Sequence, residues 1–375
     1  MAWLSGWSYR RAVTITEQSG STLTDYQVRI DLNSSNFDFA KANADGSDIR
    51  FTADDGETLL PYWIEKWDST SEEAVIWVKV PSLPANGQVT IYIYYGNSEA
   101  VSESDGEAVF EFFDDFEGSS LDTSKWTIAG TYEILEVANG ALHLRTTDFA
   151  GVVTKQEFSN QYVVEDKSKL ISREKQTQVL YVDPYNRYVT TITMIDGWKE
   201  KIMSLVGGTT GLVEERTAQL SFDVYYIAKS AFDSGAIEYD LYDEDYNILV
   251  SLSGSDSTYT SGKIGLGTFG KSTEPAEFYT DWVRVRKYAE QEPTVTVGSE
   301  GLPIIGTVKL SDGTPVQGAT VISIREDTFE IVDVTTSESD GSYTLSAAGG
   351  VNNTVIVIPS AEDQNGDIKC HIQPA

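Results

Sequence analysis

Between Ala276 and Tyr288 the chain reads AEFYTDWVRVRKY. Phe278, Tyr279, Trp282, Val283 and Val285 are aromatic or β-branched, and Arg284, Arg286 and Lys287 stand among them. Side chains along a strand point alternately to opposite faces, so this pattern builds a strand with one face in a core and one face in water. Two acids and Pro293 then halt it, because proline cannot donate to a sheet ladder. A strand that stops in this way closes one domain and hands over to another. The length of 375 residues agrees, since single cores stop growing at about 250–300 residues.

The same grammar recurs along the whole chain. In the first hundred residues the strand candidates are Tyr9–Thr16, Gln27–Asp31, Ile49–Thr52, Leu60–Trp67, Ala74–Val80 and Val89–Tyr95. Between them stand turn signals rich in Asn, Asp and Gly, at 43–46, 54–56 and 84–87. Short strands at regular spacing with such turns argue for an antiparallel sandwich. Ile91–Tyr95 is apolar or aromatic at every position, which marks a central strand covered on both sides. Tyrosine (20) outnumbers methionine (3), and long Leu/Ala/Lys/Glu stretches are absent. The expected fold is all-β, with three β-sandwich domains in series.

Family resemblances refine this division. WSYRR at 7–11, DYQV at 25–28, DIRF at 48–51, LPYWIE at 60–65 and YYGN at 94–97 together resemble a domain-of-unknown-function module that begins archaeal and bacterial surface proteins and some viral structural proteins. FFDDFEG at 112–118, LDTSKW at 121–126 and the closing strand DWVRVRKY at 281–288 resemble a concanavalin A-like lectin/glucanase jelly roll. The Asp-Gly turns at 312–313 and 340–341, with the strands around them, resemble the carboxypeptidase regulatory-like, prealbumin-type sandwich. The expected domains are therefore 1–108 (N-terminal β-sandwich), 109–290 (jelly roll), 291–301 (linker) and 302–375 (Ig/prealbumin-like sandwich).

Charge and cysteine usage narrow the functions. Fifty-eight acids face 27 bases, giving a net charge of −31, which repels the phosphates of nucleic acids. A single cysteine, Cys370, permits no internal disulfide and reads as a small packed residue. The start MAWLSGW lacks the basic and apolar regions of a signal peptide, and no run approaches the ~20 apolar residues of a membrane helix. The mixed-charge run from Glu165 through Lys175 reads as a solvated strand edge.

Three sites are candidates. Tyr181, Tyr185, Tyr188 and Trp198 lie on or near successive strands and could present aromatic faces to a glycan, the ligand that the lectin resemblance implies. The same resemblance implies a structural Ca²⁺ held by Asp115 and Asp281, with Asp114 as a further ligand. The third is Glu238–Glu244 (EYDLYDE), which approaches the Glu-x-Asp-x-x-Glu strand of laminarinase-type glycosidases. There Asp243 replaces the last Glu, and Glu244 falls on the other face. The acids of that segment read better as a wet strand entering a turn. The two histidines, His143 and His371, fall in different domains and support no triad.

Modules of surface proteins without an export signal suggest a virion component. The leading expectation is a non-enzymatic structural protein of a tailed virus, an archaeal host among the options: a capsid decoration, turret or tail fibre component. Its expected partners are other virion proteins, further copies of itself and host surface glycans, with no nucleic acid and no membrane insertion. The alternatives are a cell-surface glycan-binding adhesin and a laminarinase-type glycoside hydrolase.

Overall fold

The computed structural model describes residues 3–159, 161–194, 197–310, 313–325, 331–348, 353–358 and 368–373. The chain is all-β. It divides into two compact units, one of residues 1–109 and 289–375 and the other Phe110–Tyr288.

Chain order opens with β1 (Tyr9–Thr16), β2 (Leu23–Asn33), β3 (Arg50–Thr52), β4 (Tyr62–Asp68), β5 (Glu73–Leu83) and β6 (Gln88–Tyr95), then the single-turn helix α1 (Gly106–Val109). β6 lies between β1 and β3, while β5 lies between β2 and β4 in a facing sheet. The period-two pattern of β2 sends Tyr26, Val28, Ile30 and Leu32 into the core against Val13, Ile15, Ile91 and Ile93. Ile91–Tyr95 is buried at all five positions, as expected of a central strand.

The second unit holds β7 (Phe112–Asp114), β8 (Trp126–Gly130), β9 (Ile134–Val137), β10 (Leu142–Thr146), β11 (Phe149–Thr154), β12 (Gln161–Ser172), β13 (Glu174–Asp183) and β14 (Asn186–Thr193). It continues with β15 (Lys199–Val206), β16 (Thr209–Thr217), β17 (Tyr225–Asp233), β18 (Ala236–Tyr242), β19 (Ile248–Ser255), β20 (Lys263–Phe269) and β21 (Ala276–Arg286). One sheet runs β19-β18-β17-β12-β21-β10-β9, with β7 also on β21; the other runs β16-β15-β14-β13-β20-β11-β8. Val164, Tyr239, Phe278 and Val283 of the first meet Val152, Ile192, Ile202 and Leu266 of the second in one core. The charged run read as a solvated edge is buried in part. Glu165, Asp166 and Lys175 are each at most 4% exposed, because β12 and β13 are interior strands whose polar side chains pair with one another.

The first unit resumes with β22 (Thr294–Leu310), β23 (Thr320–Arg325), β24 (Ile331–Thr336), β25 (Ser342–Ala348), β26 (Asn353–Ile358) and β27 (Ile368–Gln373). The expected linker 291–301 is not one. From Thr294 onward it is the first half of β22, antiparallel to β1 from Thr16↔Thr294 to Arg10↔Gly301. Val295 and Val297 pack on the N-terminal core. Tyr26 donates its hydroxyl to Glu292 at 2.7 Å, and Tyr95 donates to Glu300 at 2.7 Å. The second half of β22 pairs with β25 and β27, so the first and third sandwiches share a strand. Val308, Val316, Val321, Tyr343 and Leu345 form the third core. Cys370 and His371 belong to β27, and their side chains lie outside the described residues. Among the described residues no helix is long and apolar enough to cross a membrane.

Candidate functional site

In the sheet that carries β13, core-facing residues alternate with residues on the outer face. Lys175 pairs with the core residue Ile192, so its neighbours Gln176 and Gln178 point outward. Gln176 stands between Gly267 of β20 and Thr191 of β14, and Gln178 between Gly265 and Val189. Gly151 of β11 lies opposite Gly267. The glycines leave room for the glutamines. A Cβ at Gly265 would come 2.6 Å from Gln178 Oε1, and one at Gly267 would come 2.8 Å from its Nε2. The Gln178 amide therefore lies over the bare backbone of its neighbour strand.

Arg187, on β14, covers this strip. Its guanidinium reaches 4.9 Å from the Phe149 ring on β11, which requires it to cross β13 and β20. One terminal N–H donates to the Pro184 carbonyl. Burial pulls the Arg187 guanidinium below its ordinary pKa, against the pull of Tyr181, Asp183 and Glu174. Gln176, Gln178, Arg187 and Thr191 are all buried. Five of their polar atoms have no partner: Gln176 Oε1, both amide atoms of Gln178, Thr191 Oγ1 and Arg187 Nε. Each such atom costs about 1–3 kcal/mol when left unpaired, so the strip calls for water or a ligand carrying both donors and acceptors.

Of the four aromatic residues expected to line a glycan site, only Tyr181 belongs here. It faces Arg187 in register and is 9% exposed. Tyr188 is a correction, because it sits in the core with its hydroxyl donating to Asp256 at 2.8 Å. Regular alternation along β14 puts it on the same face as the core residue Ile192, while the bulge between Gln178 and Leu180 lies on β13 and turns Tyr181 outward. Tyr185 is exposed in the turn between β13 and β14. Trp198 is half-buried on the core, 4.8 Å from the ring of Phe222.

The acids expected to hold Ca²⁺ are engaged elsewhere. Asp114 accepts from the Trp126 indole at 2.6 Å and from the Phe116 backbone at 3.0 Å, and burial pushes its carboxyl up. Asp281 pairs with Lys167 at 3.1 Å, and Asp115 is half-buried. Among the described residues no three His, Cys, Asp or Glu side chains group as a metal site, so the residues do not fit the ion that the lectin resemblance implies. Asp114→Ala, which strands the indole N–H, is expected to cost about 1–3 kcal/mol. Calorimetry should show that loss, with the same unfolding midpoint in Ca²⁺ as in EDTA. A midpoint that rises with Ca²⁺ would restore the metal site.

The acids of Glu238–Glu244 belong to the opposite sheet. Ile237, Tyr239 and Leu241 face the core, which turns Glu238 and Asp240 outward, away from the glutamine strip. Asp240 accepts from Ser251 at 2.6 Å and Tyr242 at 3.1 Å. Asp243 caps the hairpin by accepting from the backbone N–H groups of Asp245 and Asn247. Glu244 pairs with Lys167 at 2.9 Å. His143 is held between Glu136 at 3.0 Å and Glu277 at 2.9 Å, and stacks on Tyr279 at 4.1 Å. An open cleft of about 620 Å³, lined by Arg145, Arg173, Lys271, Glu274 and Glu277 among others, has most of its charge matched internally. Arg173 meets Glu274 at 2.7 Å and Arg145 meets Glu277 at 3.7 Å.

Residues 45–129 match a family described as Domain of unknown function (DUF2341), so the chain carries that domain. Uncharacterized protein MJ1472 of Methanocaldococcus jannaschii is 29% identical over 167 residues, which are 42% of this chain and 30% of that protein. The chain thus matches under a third of that relative's length. Among solved structures, the carbohydrate binding module CBM66 from Bacillus subtilis is similar at 14% identity and a TM-score of 0.37, over 44% of this chain and 98% of that one. A glycosyl hydrolase family protein from Mycobacterium fortuitum is similar at 18% identity and a TM-score of 0.36, over 47% and 99%. The GH43 protein BlXynB of Bacillus licheniformis is similar at 15% identity and a TM-score of 0.39, over 61% and 50%. Likenesses at these TM-scores carry no argument about this chain's chemistry.

Proposed function

We propose that Phe110–Tyr288 binds an oligosaccharide on the outer face of the sheet that carries β13, without hydrolysing it. The observation that carries this reading is the group of five unpartnered polar atoms on Gln176, Gln178, Arg187 and Thr191. A sugar offers hydroxyls that donate and accept at short spacing, which answers amide, hydroxyl and guanidinium groups together. Tyr181 at the end of the strip supplies an apolar edge. The ligand would displace the Arg187 side chain from over the glycines. The placement of the acids supports binding without turnover: those of Glu238–Glu244 lie on the other sheet, and Asp243 is committed to its hairpin. The test is an oligosaccharide array probed with the intact chain. Retention of at least one glycan class, unchanged in composition after incubation, is expected. A blank array would sink the reading, and released reducing ends would turn it into a hydrolase.

The wider setting stays part of the proposal. Sandwich modules joined through a shared strand suit a spacer on an exposed particle or cell surface, which leaves the virion component and the cell-surface adhesin as the two placements. Peptide mapping of purified particles against host envelope fractions separates them, and absence of the chain from both would remove each.

A further inference from the structure

We propose that Lys175 and Asp166 become joined by an intramolecular amide that cross-links the two sheets of the Phe110–Tyr288 sandwich. Asp166 belongs to β12 in one sheet and Lys175 to β13 in the other. Their side chains meet between the sheets, Lys175 Nζ against Asp166 Oδ1, at 1% and 0% exposure. The surroundings hold both groups in place. Thr177 Oγ1 accepts from Lys175 Nζ at 2.5 Å and donates to Asp166 Oδ2 at 2.6 Å. Ser168 donates to Asp166 Oδ1 at 2.6 Å and is itself bonded to Thr280 at 2.8 Å. Glu200 lies in the same inward row, two strands from Lys175 through Ile192. Its Oε2 accepts from Tyr239 at 2.7 Å, and its Oε1 has no partner.

The chemistry balances without a further reactant. Proton transfer from the Lys175 ammonium to the Asp166 carboxylate gives a neutral amine and a neutral acid; the amine then attacks Cγ of Asp166, a C–N bond forms and the C–OH bond breaks. Thr177 bridges nitrogen and oxygen, so it can pass a proton from the amine to the departing oxygen. Relative to ammonium and carboxylate, two hydrogens and one oxygen leave as water and the two charges cancel. Burial pulls the Lys175 amine down and pushes the Glu200 carboxyl well up, which favours the uncharged amine that the attack requires. Two physical effects drive the step. Fixed contact between the reacting atoms replaces a bimolecular encounter, which is worth effective molarities of roughly 10⁵–10⁸ M. Collapse to a neutral amide also removes the desolvation cost of a buried ion pair.

The test is the intact mass of the denatured chain. The wild type is expected to be lighter than its sequence by one water. Trypsin should leave a branched peptide in which the segment ending at Lys167 is joined to one that reads through Lys175. Lys175→Met should show its full sequence mass. Asp166→Asn should form the same amide by losing ammonia, and so reach the cross-linked wild-type mass. Thr177→Val should slow the loss of water in freshly made protein. A wild type at full sequence mass, with cleavage after Lys175, would overturn the proposal whether or not any variant folds.

Discussion

Glu165→Gln is expected to lower the unfolding midpoint of Phe110–Tyr288 by on the order of 10 °C, from a loss of about 3–5 kcal/mol. Glu165 is buried on β12, where Arg284 Nε donates to it at 2.6 Å and Arg286 Nη2 at 3.2 Å. Neither guanidinium has water to fall back on, since their side chains are 0% and 3% exposed. Arg284 also lies 4.3 Å from the Trp282 ring and donates to Tyr246 at 3.1 Å. Glutamine keeps the shape and removes the charge, leaving two buried cations without their anion. The effect has a pH signature. Burial raises the Glu165 carboxyl, but Arg284 and Arg286 outweigh it and hold the group far below its ordinary value. A depressed folded-state pKa contributes stability that is complete above the unfolded value of about 4.3 and is lost as the pH falls below it. Calorimetry across that window should show the wild type weakening in acid, with the variant's slope shallower. Equal midpoints for the two proteins at neutral pH would show that the trio is not what holds these strands.

Gln178→Met is expected to move stability and binding in opposite directions. Gln178 is fully buried, and neither end of its amide has a partner. Methionine fills a similar volume without polar atoms, so removing the amide should stabilise the unit by about 1–3 kcal/mol, a rise of several degrees in midpoint. The same change removes the centre of the proposed sugar face, and retention on the oligosaccharide array should disappear. A stabilised variant that still binds would detach the glutamine strip from recognition. A destabilised one would mean that the amide has structural partners in solution.

The elements and the site were legible in the sequence to different degrees. β1 and the Ile91–Tyr95 strand were readable because aromatic and β-branched residues alternate between Asn/Asp-Gly turns, a purely local signal. Residues 291–301 read as a linker because Pro293 and its neighbouring acids dominate the local pattern. The alternation of Val295 and Val297 was the overlooked strand signal, and its partner β1 lies far upstream in the chain. Tyr188 reads as a glycan platform because the local pattern does not tell which face of β14 meets the core. Gln176, Gln178 and Thr191 were missed because polar residues in a strand ordinarily mark a wet face. Their burial depends on bare backbone across β20, and the Gly265-Leu-Gly267 alternation was the available hint, since glycine in a strand marks close approach. Asp166 and Lys175 read as solvated charges because nothing in the sequence near either residue shows that the two strands face each other.

The most direct measurement is a crystal structure of the intact chain with an array-positive oligosaccharide. The sugar should lie on the outer face of the sheet that carries β13, within hydrogen-bond distance of Gln176, Gln178 and Thr191, with Arg187 moved from over Gly265 and Gly267. A sugar bound elsewhere on the chain, with the Gln178 amide still covered by Arg187, would contradict the binding face outright.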